Sequence, residues 1–111
     1  MRLRMKLIAT MAGLAASGLA AAALAQSAPS VTIKDHMFMP AAVTVPVGAT
    51  VSWTNEDGAP HTVTSDERGL FGSGWKFKGG HYAFQFTKAG TYPYHCSIHK
   101  GMHGTVTVTG G

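Results

Sequence analysis

An all-β fold is what this sequence predicts: an antiparallel sandwich of seven or eight short strands. Two patterns say so. After position 25, apolar residues alternate with polar ones at a period of two, the mark of strands with one buried face. Turn residues cut these runs at short intervals, and no stretch of useful length repeats at the helical 3.6. Short strands of this kind bury their apolar faces by stacking as two sheets.

Residues 1–25 stand apart from that pattern. Arg2, Arg4 and Lys6 precede an Ala/Leu/Gly-rich apolar run from Leu7, which ends in the small-x-small sequence Ala23-Leu24-Ala25. The reading is an export signal cleaved after Ala25, leaving residues 26–111 as one domain. The run is also long enough for an uncleaved membrane anchor, the alternative to that reading. No cysteine sits at the cleavage point for lipidation, and Arg2 and Arg4 are not adjacent, so twin-arginine export is not indicated.

The strands then follow in order. Val31 and Ile33 alternate with Ser30 and Thr32; Val43, Val45 and Val47 alternate with Thr44 and Pro46; Val51 and Trp53 alternate with Thr50, Ser52 and Thr54. Residues 66–80 are the least patterned and read as a loop with a short strand or turn. Tyr82, Phe84 and Phe86 share a face, as do Tyr92, Tyr94 and Cys96, and Val106 and Val108 close the series. The separators are Pro46-Val47-Gly48, Glu56-Asp57-Gly58, Gly72-Ser73-Gly74, Gly79-Gly80 and Ala89-Gly90. Met37 and Met39, in His36-Met37-Phe38-Met39, read as packing residues at a strand end. A transient copper(I)-binding role for that group is the less favoured reading and stays outside the site.

Charge excludes one class of function. The formal net charge of +4 includes Arg2, Arg4 and Lys6; residues 26–111 carry six Lys/Arg against five Asp/Glu. The basic balance therefore belongs largely to the leader, and nucleic-acid binding loses its support. Cysteine usage points elsewhere. A small exported domain is commonly stapled by disulfides, yet Cys96 is the one cysteine. In an oxidising compartment such a thiol needs an occupant, a metal or an intermolecular bridge. In a domain this small, a bound metal would also contribute to folding.

The neighbours of Cys96 favour the metal. Cys96-Ser97-Ile98-His99-Lys100-Gly101-Met102 places a thiolate, an imidazole and a thioether on one inter-strand loop, a soft ligand set suited to copper in both oxidation states. Zinc prefers harder tetrahedral sets. The second imidazole that a trigonal copper site requires is expected from His61, in Ala59-Pro60-His61-Thr62-Val63, at the head of its own strand. Singly, Cys96 reads as a small buried hydrophobe, His61 as a turn residue and Met102 as core filler. All four in register within a β pattern favour copper. His81 and His95 read as outward strand residues, and His103 as pointing away from the metal.

These segments resemble the cupredoxins, the type 1 blue copper proteins, and among them the short-loop members of amicyanin and plastocyanin type. The resemblance rests on Val45-Pro46-Val47-Gly48, Val51-Ser52-Trp53-Thr54-Asn55, Pro60-His61-Thr62-Val63, Phe84-Gln85-Phe86, Ala89-Gly90-Thr91-Tyr92, the Tyr94-to-Met102 loop and Gly104-Thr105-Val106. It implies a cupredoxin-like Greek-key sandwich over residues 26–111. It implies one copper cycling between Cu(I) and Cu(II), with His61, Cys96 and His99 as equatorial ligands and Met102 as the weak axial one. Thr62 and Ser97 match residues that tie the two ligand loops together. Ile98 departs from the proline usual two residues after the cysteine. Its N–H is expected to donate to the Cys96 sulfur alongside the Thr62 amide and so raise the potential above that of an Ile98→Pro variant.

The function so implied is a periplasmic one-electron carrier, a monomer and not an enzyme, shuttling electrons between redox protein donors and acceptors. Partners are expected to dock transiently near the exposed edge of His99, over Gly58, Ala59, Pro60, Ile98 and Gly101. Lys76, Lys78 and Lys100 address an acidic partner. Release and protonation of His99 on reduction, known in short-loop relatives, is a further expectation. The alternative is a periplasmic copper-binding protein for storage, delivery or resistance. An oxidase or nitrite reductase is disfavoured, because Ser97 breaks the His-Cys-His pattern that links two copper sites and no second set of ligands follows.

Overall fold

Alternation at a period of two becomes two stacked sheets in the computed structural model, which describes residues 29–110. The export signal expected over residues 1–25 lies outside them. Eight strands follow in order: β1 (Ser30–Lys34), β2 (Met37–Met39), β3 (Ala42–Pro46), β4 (Thr50–Asn55), β5 (Thr64–Ser65), β6 (His81–Gln85), β7 (Gly90–His95) and β8 (His103–Thr109). One sheet has the order β2-β1-β4-β6 and the other β3-β8-β7-β5. No helix occurs among the described residues.

The core lies between the sheets and takes the residues that alternation assigns to it. Val31, Ile33, Val51 and Trp53 from one sheet meet Val45, Tyr94, Val106 and Val108 from the other, all essentially buried. Phe71 and Phe86 close the sides. Trp53 is the centre of an aromatic group, with the Tyr94 ring edge-on at 5.4 Å and the Phe71 ring stacked at 6.2 Å. Such pairs add to stability beyond the area they bury.

The antiparallel expectation holds for most pairs but not all. β1 and β4 run parallel, with Val31 opposite Trp53, and so do β3 and β8, with Val43 opposite Val106. Each sheet is therefore mixed. The reason is topological: after the β1–β2 hairpin the chain crosses to the second sheet as β3 and returns as β4 beside β1. A period of two reports which face is buried and carries no record of a neighbour's direction. β2 also escapes the pattern, because its three residues bury Phe38 alone and leave Met37 and Met39 exposed.

The registers give the sandwich two distinct ends. Ile33 pairs with Asn55, Thr54 with His81 and His95 with His103, so the ends of β1, β4 and β7 and the starts of β6 and β8 lie together. At the opposite end Ser30 pairs with Ser52 and Pro46 with Thr109. The loops that carry His61 and Cys96 both leave from the first of these ends.

Candidate metal centre

β7 stops at His95, and the next amide turns inward: Cys96 N donates to the Met102 carbonyl at 3.0 Å. That bond closes a short loop with Cys96 at one foot and Met102 at the other, both buried, and His99 half-exposed at the crest. The loop itself lines a depression at the surface.

The His61 side is fixed by Asn55. This fully buried amide donates to the Ala59 carbonyl at 3.0 Å and the Lys76 carbonyl at 2.8 Å, while its oxygen accepts the Asp57 amide at 2.8 Å. A buried side chain so fully paired fixes the course of the 55–61 turn. His61 then pairs with Lys76 in both directions, N to O at 3.0 Å and O from N at 2.8 Å. Thr62 joins the two loops. Its amide donates to Cys96 Sγ at 3.4 Å, and its hydroxyl accepts the Ser97 amide at 2.8 Å and lies 3.1 Å from Ser97 Oγ. The tie expected from Thr62 and Ser97 is present.

These constraints bring Cys96 Sγ within 3.5 Å of His99 Nδ1 and 3.8 Å of His61 Nδ1, with the two imidazole centroids 4.7 Å apart. Metal–sulfur and metal–imidazole bonds of about 2.3 and 2.0 Å, arranged trigonally, would hold sulfur and nitrogen about 3.7 Å apart. The observed separations bracket that value, so the donor set fits a small thiophilic ion.

Two further residues belong to the geometry: Asp57, which the sequence does not single out, and His36, which it offers only within the less favoured copper(I)-binding group. His36 stands edge-on to His99 with centroids 4.7 Å apart and to His61 at 5.1 Å, and the three imidazoles offer ligand atoms within 4.8 Å of one another. Asp57 accepts His61 Nε2 at 2.8 Å. Asp57 reads in sequence only as part of a turn, and His36 only as part of a methionine-rich strand end; neither spacing predicts that the hairpin and the 55–61 turn meet. The His36 amide, followed by the His61 ring, holds the Asp57 carboxyl down at about 2. Burial, then the nearby His61 and His36 rings, lower His99 below the usual histidine range, which favours the neutral ring that a metal needs.

The remaining histidines lie where expected. His95 turns outward to Asp66 at 2.5 Å, His81 lies 3.4 Å from the Thr54 hydroxyl, and His103 is exposed. The Thr62 amide donates to Cys96 Sγ as expected, but Ile98 differs from expectation: among the described residues its amide makes no such bond. The potential difference anticipated for Ile98→Pro loses its structural basis.

A sandwich of this topology with one thiol and two imidazoles at its end defines a cupredoxin. The family model for the cupredoxin-like domain matches residues 6–108, and the chain belongs to that family, whose members bind one copper. Amicyanin from Paracoccus denitrificans is 39% identical over 97 residues, covering 83% of this chain and 73% of that protein. Plastocyanin from Scenedesmus fuscus is 37% identical over 84 residues, covering 65% and 86%. Among solved structures, a purple cupredoxin from Nitrosopumilus maritimus superimposes with a TM-score of 0.70 at 31% identity, covering 73% of this chain and 99% of that one. An amicyanin variant in its Cu(I) form gives 0.70 at 36%, covering 74% and 82%.

Proposed function

We propose that this protein is an exported one-electron carrier in which His61, Cys96, His99 and Met102 hold a single copper ion. The observation that carries the reading is the convergence of two imidazole Nδ1 atoms on one buried thiol, at 3.5 and 3.8 Å. Bound there, copper supplies a Cu(I)/Cu(II) couple that takes up or releases one electron. The chain does the rest. The Cys96–Met102 closure, the Thr62 bridge and the Asn55 bonds hold the donors from outside the site, so little rearranges when its charge changes. Burial of Cys96 and His61 keeps water from the sulfur, and half-exposed His99 gives the electron an imidazole edge at the surface.

A partner surface adjoins the site. Trp75 and Phe77 are exposed, with rings 6.4 Å apart, and flank Lys76, whose main chain pairs with that of His61. Lys78 follows, and the sequence has no acidic residue after Glu67. Aromatic anchors among lysines suit an acidic redox partner that docks briefly. Cleavage of a signal after Ala25, a periplasmic location and a monomeric carrier complete the proposal, supported by the charged start, the apolar run and the Ala23-Leu24-Ala25 pattern.

The test is the visible spectrum of the protein with copper(II), beside Cys96→Ser. An intense red-region charge-transfer band that disappears in the variant is expected; a weak, ordinary copper(II) spectrum in both would refute Cys96 as a ligand. Exposed His36 beside the ligands favours a second reading, copper storage or delivery. Rapid transfer of copper to a metal-free acceptor, without a reversible potential, would select it.

A further inference from the structure

Asp57 lies outside the ligand set, yet three donors converge on its carboxylate. Oδ2 accepts His61 Nε2 at 2.8 Å and the His36 amide at 2.9 Å, and Oδ1 accepts the Asp35 amide at 3.1 Å. The side chain is 14% exposed. An ionised carboxylate only accepts, so Nε2 carries the imidazole proton and Nδ1 is left with its lone pair toward Cys96 Sγ.

The carboxylate does not simply follow the ring. Asp35 and His36 both adopt left-handed φ angles, 53° and 55°, where residues other than glycine are uncommon and strained. Their amides are turned together onto Asp57, which offsets part of that strain and anchors the carboxylate to the β1–β2 hairpin. Asp57 is thus held from one side and holds His61 from the other.

We propose that Asp57 is a positioning residue of the metal centre: its anchored carboxylate fixes the tautomer and orientation of His61 and passes negative charge through the ring, favouring the oxidised metal. The inference rests on His61 being a copper ligand, as proposed above. A carboxylate on the far nitrogen makes a ligating imidazole more basic, and the ion of higher charge gains more from it.

Two measurements test it. Asp57→Asn keeps an oxygen that can accept from His36 and His61 but removes the charge. Its affinity for Cu(II) is expected to fall about tenfold, at the lower end of losses from outer partners of a ligand, with a smaller change for Cu(I). A full tenfold difference between the two ions would raise the potential by about 59 mV for one electron; the smaller Cu(I) change makes the expected rise less than that, with the red band retained and the shift reversed in part by Asp57→Glu. An unchanged or lower potential overturns the charge role. The second measurement needs no copper. Nitrogen NMR of the metal-free protein is expected to show His61 as the Nε2–H tautomer, a preference lost in Asp57→Ala. An Nδ1–H ring in the unmodified protein overturns the positioning role. Absence of a red band in the unmodified protein would count against copper alone, and the tautomer would then decide the Asp57 inference.

Discussion

Tyr94 and Trp53 bury their polar atoms against each other: the Tyr94 hydroxyl and Trp53 Nε1 are both enclosed, form no hydrogen bond of good geometry among the described residues, and the Trp53 side chain opposes the effect of burial on the phenol only in part. Burial pushes the Tyr94 phenol from 10.0 up to about 12. The folded chain therefore keeps a proton that the unfolded chain gives up first. The stability this contributes is complete below pH 10 and is lost as pH climbs toward 12. Tyr94→Phe is expected to flatten that alkaline loss in denaturant titrations at stepped pH. At neutral pH it should match or exceed the parent, since it removes an unpaired hydroxyl. An unchanged alkaline slope would refute the assignment. At this scale the sequence was informative wherever chemistry demands a residue type at a fixed spacing. Cys96, His99 and Met102 lie on one loop, and the His61 ring stands beside Cys96 Sγ and His99. The part played by Asp57, and the meeting of His36 with His61 and His99, were hidden, because each depends on two turns meeting far apart in sequence, and an aspartate in a turn looks the same whether or not an imidazole stands beside it.

Strands were legible through their faces, and pairing through almost nothing. The alternation of Val31 with Ile33, Val51 with Trp53 and Val106 with Val108 marks buried faces that the structure confirms. It does not reveal that β1 runs parallel to β4, nor that three residues suffice for β2. The β7–β8 pair shows a constraint of this scale. Gly104 stands opposite Tyr94, and a Cβ added at Gly104 would fall upon the Tyr94 ring and hydroxyl. Gly104→Ala must push the ring into the core or part the strands, a cost of about 1–3 kcal/mol for overpacking. The thermal midpoint should fall by roughly 4–8 °C for each kcal/mol lost. An undiminished midpoint in calorimetry would mean that the strands yield without cost. Because His95 and His103 continue the same pair toward the metal loop, a smaller disturbance of copper binding should accompany it.

Across the whole molecule, charge is arranged along the chain more than it is accumulated. Residues 26–111 are nearly balanced, but their five acids all precede residue 68 while Lys76, Lys78, Lys88 and Lys100 follow. Electron transfer to an acidic redox protein should therefore slow as salt rises, since about 0.1 M screens charges beyond roughly 10 Å. Replacing Lys76 and Lys78 by glutamine should weaken that dependence in stopped-flow kinetics. A rate that is indifferent to salt, or rises with it, would point to a neutral or basic partner. The two ends of the sandwich have a consequence of their own. Ser30 and Thr109 each lie at the end of their sheet away from His61 and Cys96. Whatever holds this domain by its first or last strand, whether another domain, a membrane tether or an electrode, acts as a handle at the back. The domain so held points its metal end outward, and its orientation toward a partner is set by the strand order alone.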